Sequence, residues 1–106
     1  MERIGFKFKI KPELKPEYKK AHDEIWPEMS KAIKDAGISN YSIFFSPDGT
    51  LFAYLEAEDY QKGIKKLGKT DVNRRWQEHM EKYFVKEDPS ILGPEIETLE
   101  EVFHLD

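Results

Sequence analysis

A chain of 106 residues fits one domain spanning 1–106, and a net charge of −4 with dispersed basic residues does not suit a protein that neutralises nucleic-acid phosphates. With 39% hydrophobic, 13% aromatic and 36% charged residues, the composition is that of a soluble globular protein with a heavily charged exterior and a core thin enough to benefit from a second copy. The chain lacks cysteine, which excludes disulfides and thiolate chemistry, and no run approaches membrane-spanning length, so the expectation is a cytoplasmic protein with no nucleic-acid or membrane partner.

Met1, Glu2 and Arg3 enter an alternating pattern at once, unlike the basic-then-apolar order of a signal peptide. Ile4, Phe6, Phe8 and Ile10 alternate with Lys and Gly, which predicts a strand over 3–10 with one buried face. A helix is predicted over roughly 14–36, closed by Gly37, with Pro27 producing a kink near 23–27. On its apolar stripe lie Leu14, Ala21, Ile25, Met29, Ala32, Ile33 and Ala36, together with Tyr18, His22 and Trp26 at intervals of four. Strands come next at 41–46 and 50–57 around the turn Pro47-Asp48-Gly49, with Tyr41, Ile43 and Phe45 on one face. Two helices succeed them, at about 59–67 and from the Thr70-Asp71 cap to about Phe84, the second with an inward stripe of Val72, Trp76, His79, Met80 and Tyr83. Pro89, Gly93 and Pro94 mark 85–97 as a loop, and 99–105 returns to strand character.

This order is that of an α+β protein with the ferredoxin-like, split βαβ arrangement, an antiparallel sheet with helices on one face. The uncovered sheet face and free edges predict a homodimer.

Familiar site types are missing from the sequence. There is no Gly-rich phosphate loop, nucleophile elbow or His-Glu-x-x-His helix, and His22, His79 and His104 stand at no metal-ligand spacing. What remains is a pocket between helices and sheet containing Tyr18, His22, Tyr41 and Trp76. Aromatic faces cover the C–H side of a sugar while hydroxyls and an imidazole bond its edge, so a small polyhydroxylated ligand fits this set. Aromatic core packing with satisfied polar tips is the alternative for each residue alone, and a hydrogen-bonded structural imidazole is the alternative for His22.

Five blocks carry a family resemblance. Ala21-His22-Asp23-Glu24-Ile25-Trp26-Pro27-Glu28, Asn40-Tyr41-Ser42-Ile43-Phe44, Leu51-Phe52-Ala53-Tyr54, Thr70-Asp71-Val72-Asn73-Arg74-Arg75-Trp76 and Leu99-Glu100-Glu101-Val102-Phe103-His104-Leu105 stand in order over nearly the whole chain. Together they resemble the L-rhamnose mutarotase family. The resemblance implies a dimeric α+β barrel of ferredoxin-like type and interconversion of the α and β anomers of L-rhamnose with no cofactor and no metal. It also implies a general acid at His22 and substrate contacts from Tyr18, Tyr41 and Trp76. One position departs from the family pattern, in which a second tryptophan comes directly after the first. This chain has Gln77, whose amide can bond a hydroxyl but offers no stacking face, leaving the choice among 6-deoxy sugars open.

Anomer exchange opens a cyclic hemiacetal. The anomeric hydroxyl loses a proton, the ring oxygen gains one, and the ring then closes on the other face; a group with a pKa near 6.5 suits both transfers. His22 is therefore expected to be the acid to the ring oxygen. Tyr18 is expected to orient the sugar or relay a proton, and Asp71, Arg74 and Arg75 either bond hydroxyls or solvate a helix. The rival expectations are a non-catalytic sugar-binding module on the same fold and a small oxygenase or haem-handling protein of the dimeric α+β barrel type, with His22 or His79 as an axial ligand.

Overall fold

The predicted alternation produces the central strand β1, Glu2–Ile10, in a computed structural model that describes all residues from Met1 to Asp106. Phe6, Phe8 and Ile10 on its inner face are buried. Strand β2 (Ile38–Phe45) pairs antiparallel with β3 (Thr50–Ala57), and β3 pairs antiparallel with β1. The other edge of β1 is shared by two short strands, β4 (Phe84–Val85) opposite Lys9 and Ile10, and β5 (Glu97–Leu99) opposite Gly5 to Lys7. Both run antiparallel to β1, so together they form one fourth strand interrupted by the excursion 86–96. The resulting order β2-β3-β1-β4 is the ferredoxin-like one expected from the sequence.

Helices α1 (Lys15–Asp23), α2 (Pro27–Asp35), α3 (Tyr60–Gly68) and α4 (Asp71–Met80) cover the inner face of this sheet. Alternate residues Leu51, Ala53, Leu55 and Ala57 of β3 join Phe6, Phe8, Met29, Trp76 and Met80 in one core. The last two helices start at side-chain caps, of which the one at Thr70 was predicted. The Asp59 carboxylate accepts from the Lys62 N–H, and the Thr70 hydroxyl accepts from the Asn73 N–H. No helix is long and apolar enough to cross a membrane.

The structure corrects several expectations. The kinked helix over 14–36 is instead two separate helices, because Pro27 occupies the first turn of α2, where its fixed φ favours initiation. Its ring also pushes Trp26 out of the helical region to an extended conformation, φ −60° and ψ 134°. Leu14 ends a short 3-10 turn, Pro12–Leu14, ahead of α1. Helix α4 stops at Met80, and a second 3-10 turn, Glu81–Tyr83, carries the chain into β4, so the helix expected to reach Phe84 is shorter. His79 is exposed rather than part of the inward stripe. Strand character over 99–105 is confined to its beginning, since β5 ends at Leu99 and Val102, Phe103 and Leu105 are largely exposed.

The outer sheet face is uncovered. Phe44 and Phe52 are direct cross-strand partners there, 64% and 45% exposed. Lys7, the cross-strand partner of Phe52 on β1, pairs with Glu97 at 3.9 Å.

Candidate active site

Between helices and sheet lies a cleft of about 1010 Å³, ample for a small molecule. Tyr18, His22, Tyr41 and Trp76 all line it. Three of them touch. The Tyr18 and His22 rings are 4.4 Å apart on α1, and His22 meets the edge of Trp76 on α4 at 5.7 Å. Tyr41 stands on the sheet side, its ring edge-on to Phe6 at 6.2 Å. Trp26 lies outside α1, so helical spacing does not unite it with His22. Trp76 does so instead, packing edge-to-face on Trp26 at 5.1 Å.

His22 sits in the last turn of α1 and is half-buried. Its Nδ1 lies 3.1 Å from the Tyr18 carbonyl oxygen. A carbonyl only accepts, so Nδ1 carries the proton and in the neutral ring Nε2 keeps its lone pair. Burial lowers the His22 pKa below its ordinary value, partly offset by that carbonyl bond and by the charge of Asp23. At neutral pH the ring is therefore mainly uncharged, with Nε2 as a proton acceptor.

Both tyrosines remain phenols. Burial raises Tyr18, which is 7% exposed, well above the ordinary tyrosine range, and the neighbouring Tyr41 adds to the rise. Crowding by protein atoms pushes Tyr41 up to about 12, with help from Tyr60. Tyr41 nonetheless leaves 40% of its surface open, so its ring can meet a ligand in the cleft. Proton relay through Tyr18 as a phenolate is thus disfavoured, and donation of a hydrogen bond is favoured.

Asp71, Arg74 and Arg75 resolve to helix-surface ion pairs. Arg74 bonds Asp71 at 2.5 Å and Glu78 at 2.9 Å, while Arg75 bonds Asp71 at 2.8 Å and Glu28 at 3.2 Å. None of the three lines the cleft.

Asn73 was not anticipated. It precedes Trp76 by one turn on α4, a spacing that placed it on the same side, and it accepts a hydrogen bond from the Gln77 amide at 3.2 Å. Pro94 and Ile96, from the excursion between β4 and β5, close the cleft beside them. That excursion is held by a clasp. The Lys86 ammonium donates to the Glu81 carboxylate and to the Ile91 carbonyl, and Glu81 also accepts from the Gly93 N–H at 3.1 Å. Gly93 suits glycine because its φ is 85°, a left-handed conformation that other residues resist.

A family model described as L-rhamnose mutarotase matches residues 3–105. The chain belongs to the L-rhamnose mutarotase family. A relative named L-rhamnose mutarotase from Listeria monocytogenes is 43% identical over 107 residues, covering 99% of each chain. One of the same name from Bacillus subtilis is 45% identical over 91 residues, covering 85% of each. The crystal structure of an L-rhamnose mutarotase from Formosa agariphila superposes with a TM-score of 0.85 at 34% identity, covering both chains completely. A dimeric ferredoxin-like protein from an uncultured marine organism shares the fold, with a TM-score of 0.63 at 13% identity and coverage of 98% and 96%. Within the L-rhamnose mutarotase family, this chain combines His22, Tyr18 and Tyr41 with an amide, Gln77, beside the buried Trp76.

Proposed function

We propose that this single-domain chain catalyses the interconversion of the α and β anomers of L-rhamnose, or of a close 6-deoxy sugar, with His22 moving the protons. The observation that carries this reading is the hydrogen bond of His22 Nδ1 to the Tyr18 carbonyl in a cleft lined by Tyr18, Tyr41 and Trp76. Nε2 takes the proton of the anomeric hydroxyl as the bond from the anomeric carbon to the ring oxygen breaks, and the imidazolium returns that proton to the ring oxygen. The anomeric carbon becomes an aldehyde, the bond to its neighbour rotates, and reversal of these steps closes the ring on the other face. Both oxygens are bonded to the same carbon, so one nitrogen can serve them with a small shift. His22 thus acts as acid to the ring oxygen only after acting as base. Tyr18 and Tyr41, held as phenols, donate hydrogen bonds to the sugar, and Trp76 forms a wall against its apolar side.

NMR exchange between the anomeric protons of L-rhamnose, corrected for the spontaneous rate, tests this reading beside L-fucose and D-glucose. Acceleration with L-rhamnose is expected; line broadening without exchange would indicate a binding module instead. The pH profile separates the order of proton transfers. Because the neutral ring must act first and burial lowers its pKa, kcat/KM should be flat from neutrality upward and fall on acidification with an apparent pKa below 6.5. A rate that instead falls as pH rises through that region would make the resting imidazolium the acid.

The functional unit is proposed to be a homodimer in the cytoplasm, in keeping with the cysteine-free sequence. Support for pairing comes from the exposed apolar outer sheet face and from the tail, where Phe103 is 78% exposed. Light scattering at micromolar concentration should give twice the chain mass of 12.5 kDa, and a single monomer mass would contradict pairing.

A further inference from the structure

Strand β2 changes faces part-way. Ile38 is buried against the helices, and so a strictly alternating strand would place the even-numbered residues inward. Yet the residues that face the core and cleft further on are Tyr41, Ile43 and Phe45, all odd-numbered. The pairing register locates the slip. Ile38 and Ser39 oppose Ala57 and Glu56, whereas Ser42 opposes Tyr54, so Asn40 and Tyr41 together stand against Leu55 alone. This is a β-bulge, in which one extra residue re-aims the side chains beyond it.

Both ends of β2 are fixed, so the extra residue must be absorbed between them. At the start, the Glu58 N–H donates to the Gly37 carbonyl at 3.2 Å; at the end, the Ser46 N–H donates to the Thr50 carbonyl at 2.8 Å. The residue that absorbs it is Asn40, the one non-glycine residue with a positive φ, at 48°. Asparagine enters this left-handed region far more readily than most residues, and β-branched residues are strongly resisted there.

We propose that Asn40 is a positioning residue whose left-handed backbone seats the bulge and thereby turns Tyr41 from the outer sheet face into the cleft. A slip of one residue moves every later side chain of the strand to the opposite face, so the device decides where the Tyr41 phenol is presented. This inference rests on the proposed reading that Tyr41 contacts the sugar. Asn40 itself also borders the cleft, but what the bulge takes from it is a conformation, so glycine should replace it there while valine should not.

Three variants test this. Asn40→Gly should keep KM and kcat near those of the parent. Asn40→Val should raise the KM for L-rhamnose by about tenfold, the scale of one lost contact, with a smaller change in kcat. Asn40→Ala supplies a milder version of the same strain if the valine variant does not fold. A second readout needs no sugar: the nuclear Overhauser contact between the Phe6 and Tyr41 rings should persist in Asn40→Gly and weaken in Asn40→Val or Asn40→Ala. An intact ring contact in both strained variants would overturn the proposal, as would damage in Asn40→Gly equal to that in Asn40→Val. Tyr41→Phe and Tyr41→Ala without effect on KM would refute the sugar contact, while the ring-contact readout would still judge the role of Asn40.

Discussion

Replacing His22 with asparagine should slow anomer exchange by roughly 10²–10⁴-fold, the usual contribution of a positioned acid–base group. The fold should survive, since asparagine retains one amide donor for the Tyr18 carbonyl and His22 is only half-buried. Saturation by the sugar should change far less than kcat, because a proton-transfer group acts in the transition state. A variant that exchanges anomers at the parent rate would remove His22 from the chemistry. Stability carries an independent signature. The folded-state pKa of His22 lies below its unfolded value, so the unfolded chain takes up the proton first. This contribution is present in full above about pH 6.5 and is lost as pH falls from there through the lowered folded-state value. The asparagine variant should lack that part of the acid destabilisation.

Trp76→Ala should have the largest effect on stability. Trp76 is 6% exposed and packs against Trp26, His22 and His79, with centroid separations of 5.1, 5.7 and 5.9 Å. Truncating a buried tryptophan costs about 3–5 kcal/mol, which in a domain of this size lowers the melting midpoint by at least about 10 °C. A residue that served only as a substrate contact would lose sugar binding and little stability on this change. The structure shifts the emphasis, since little of the indole is free and much of it braces α4 against the link after α1. Trp76→Phe keeps most of the packing and so isolates the wall contribution, with an expected rise in KM near parental stability. A melting midpoint unchanged in Trp76→Ala would refute the bracing role.

The sheet and its order were legible because β1 and β3 alternate cleanly and the two helices after β3 start at cap-forming residues, Asp59 and Thr70. Tyr18, His22, Tyr41 and Trp76 were legible as lining of one cleft because each lies on an apolar stripe or on the inward side of a strand. Other features depended on tertiary context. Periodicity spans the break at Trp26 without registering it, although the proline rule pointed to the spot. The strand pairing of Phe84 and Val85 comes from the edge of β1, and so few residues carry no period of their own. Asn73 enters the site because α4 is rolled to bury Trp76, and Ile96 because the Lys86 clasp brings a distant loop alongside. The tail beyond Leu99 has the composition of a strand but no partner strand within the chain, which is why composition alone overextended it.

The acceptor that orients the His22 ring belongs to the main chain. Many sites give this duty to a carboxylate, which can rotate, exchange partners or gain a proton as conditions change. A carbonyl one helical turn before His22 does none of these, and it is present whichever residue occupies position 18. Position 18 therefore holds the imidazole in two ways, its backbone fixing the tautomer and its buried phenol ring packing 4.4 Å from the imidazole. A change at that side chain would leave the tautomer in place while removing the ring packed beside His22, so proton position and ring position are set by different parts of one residue.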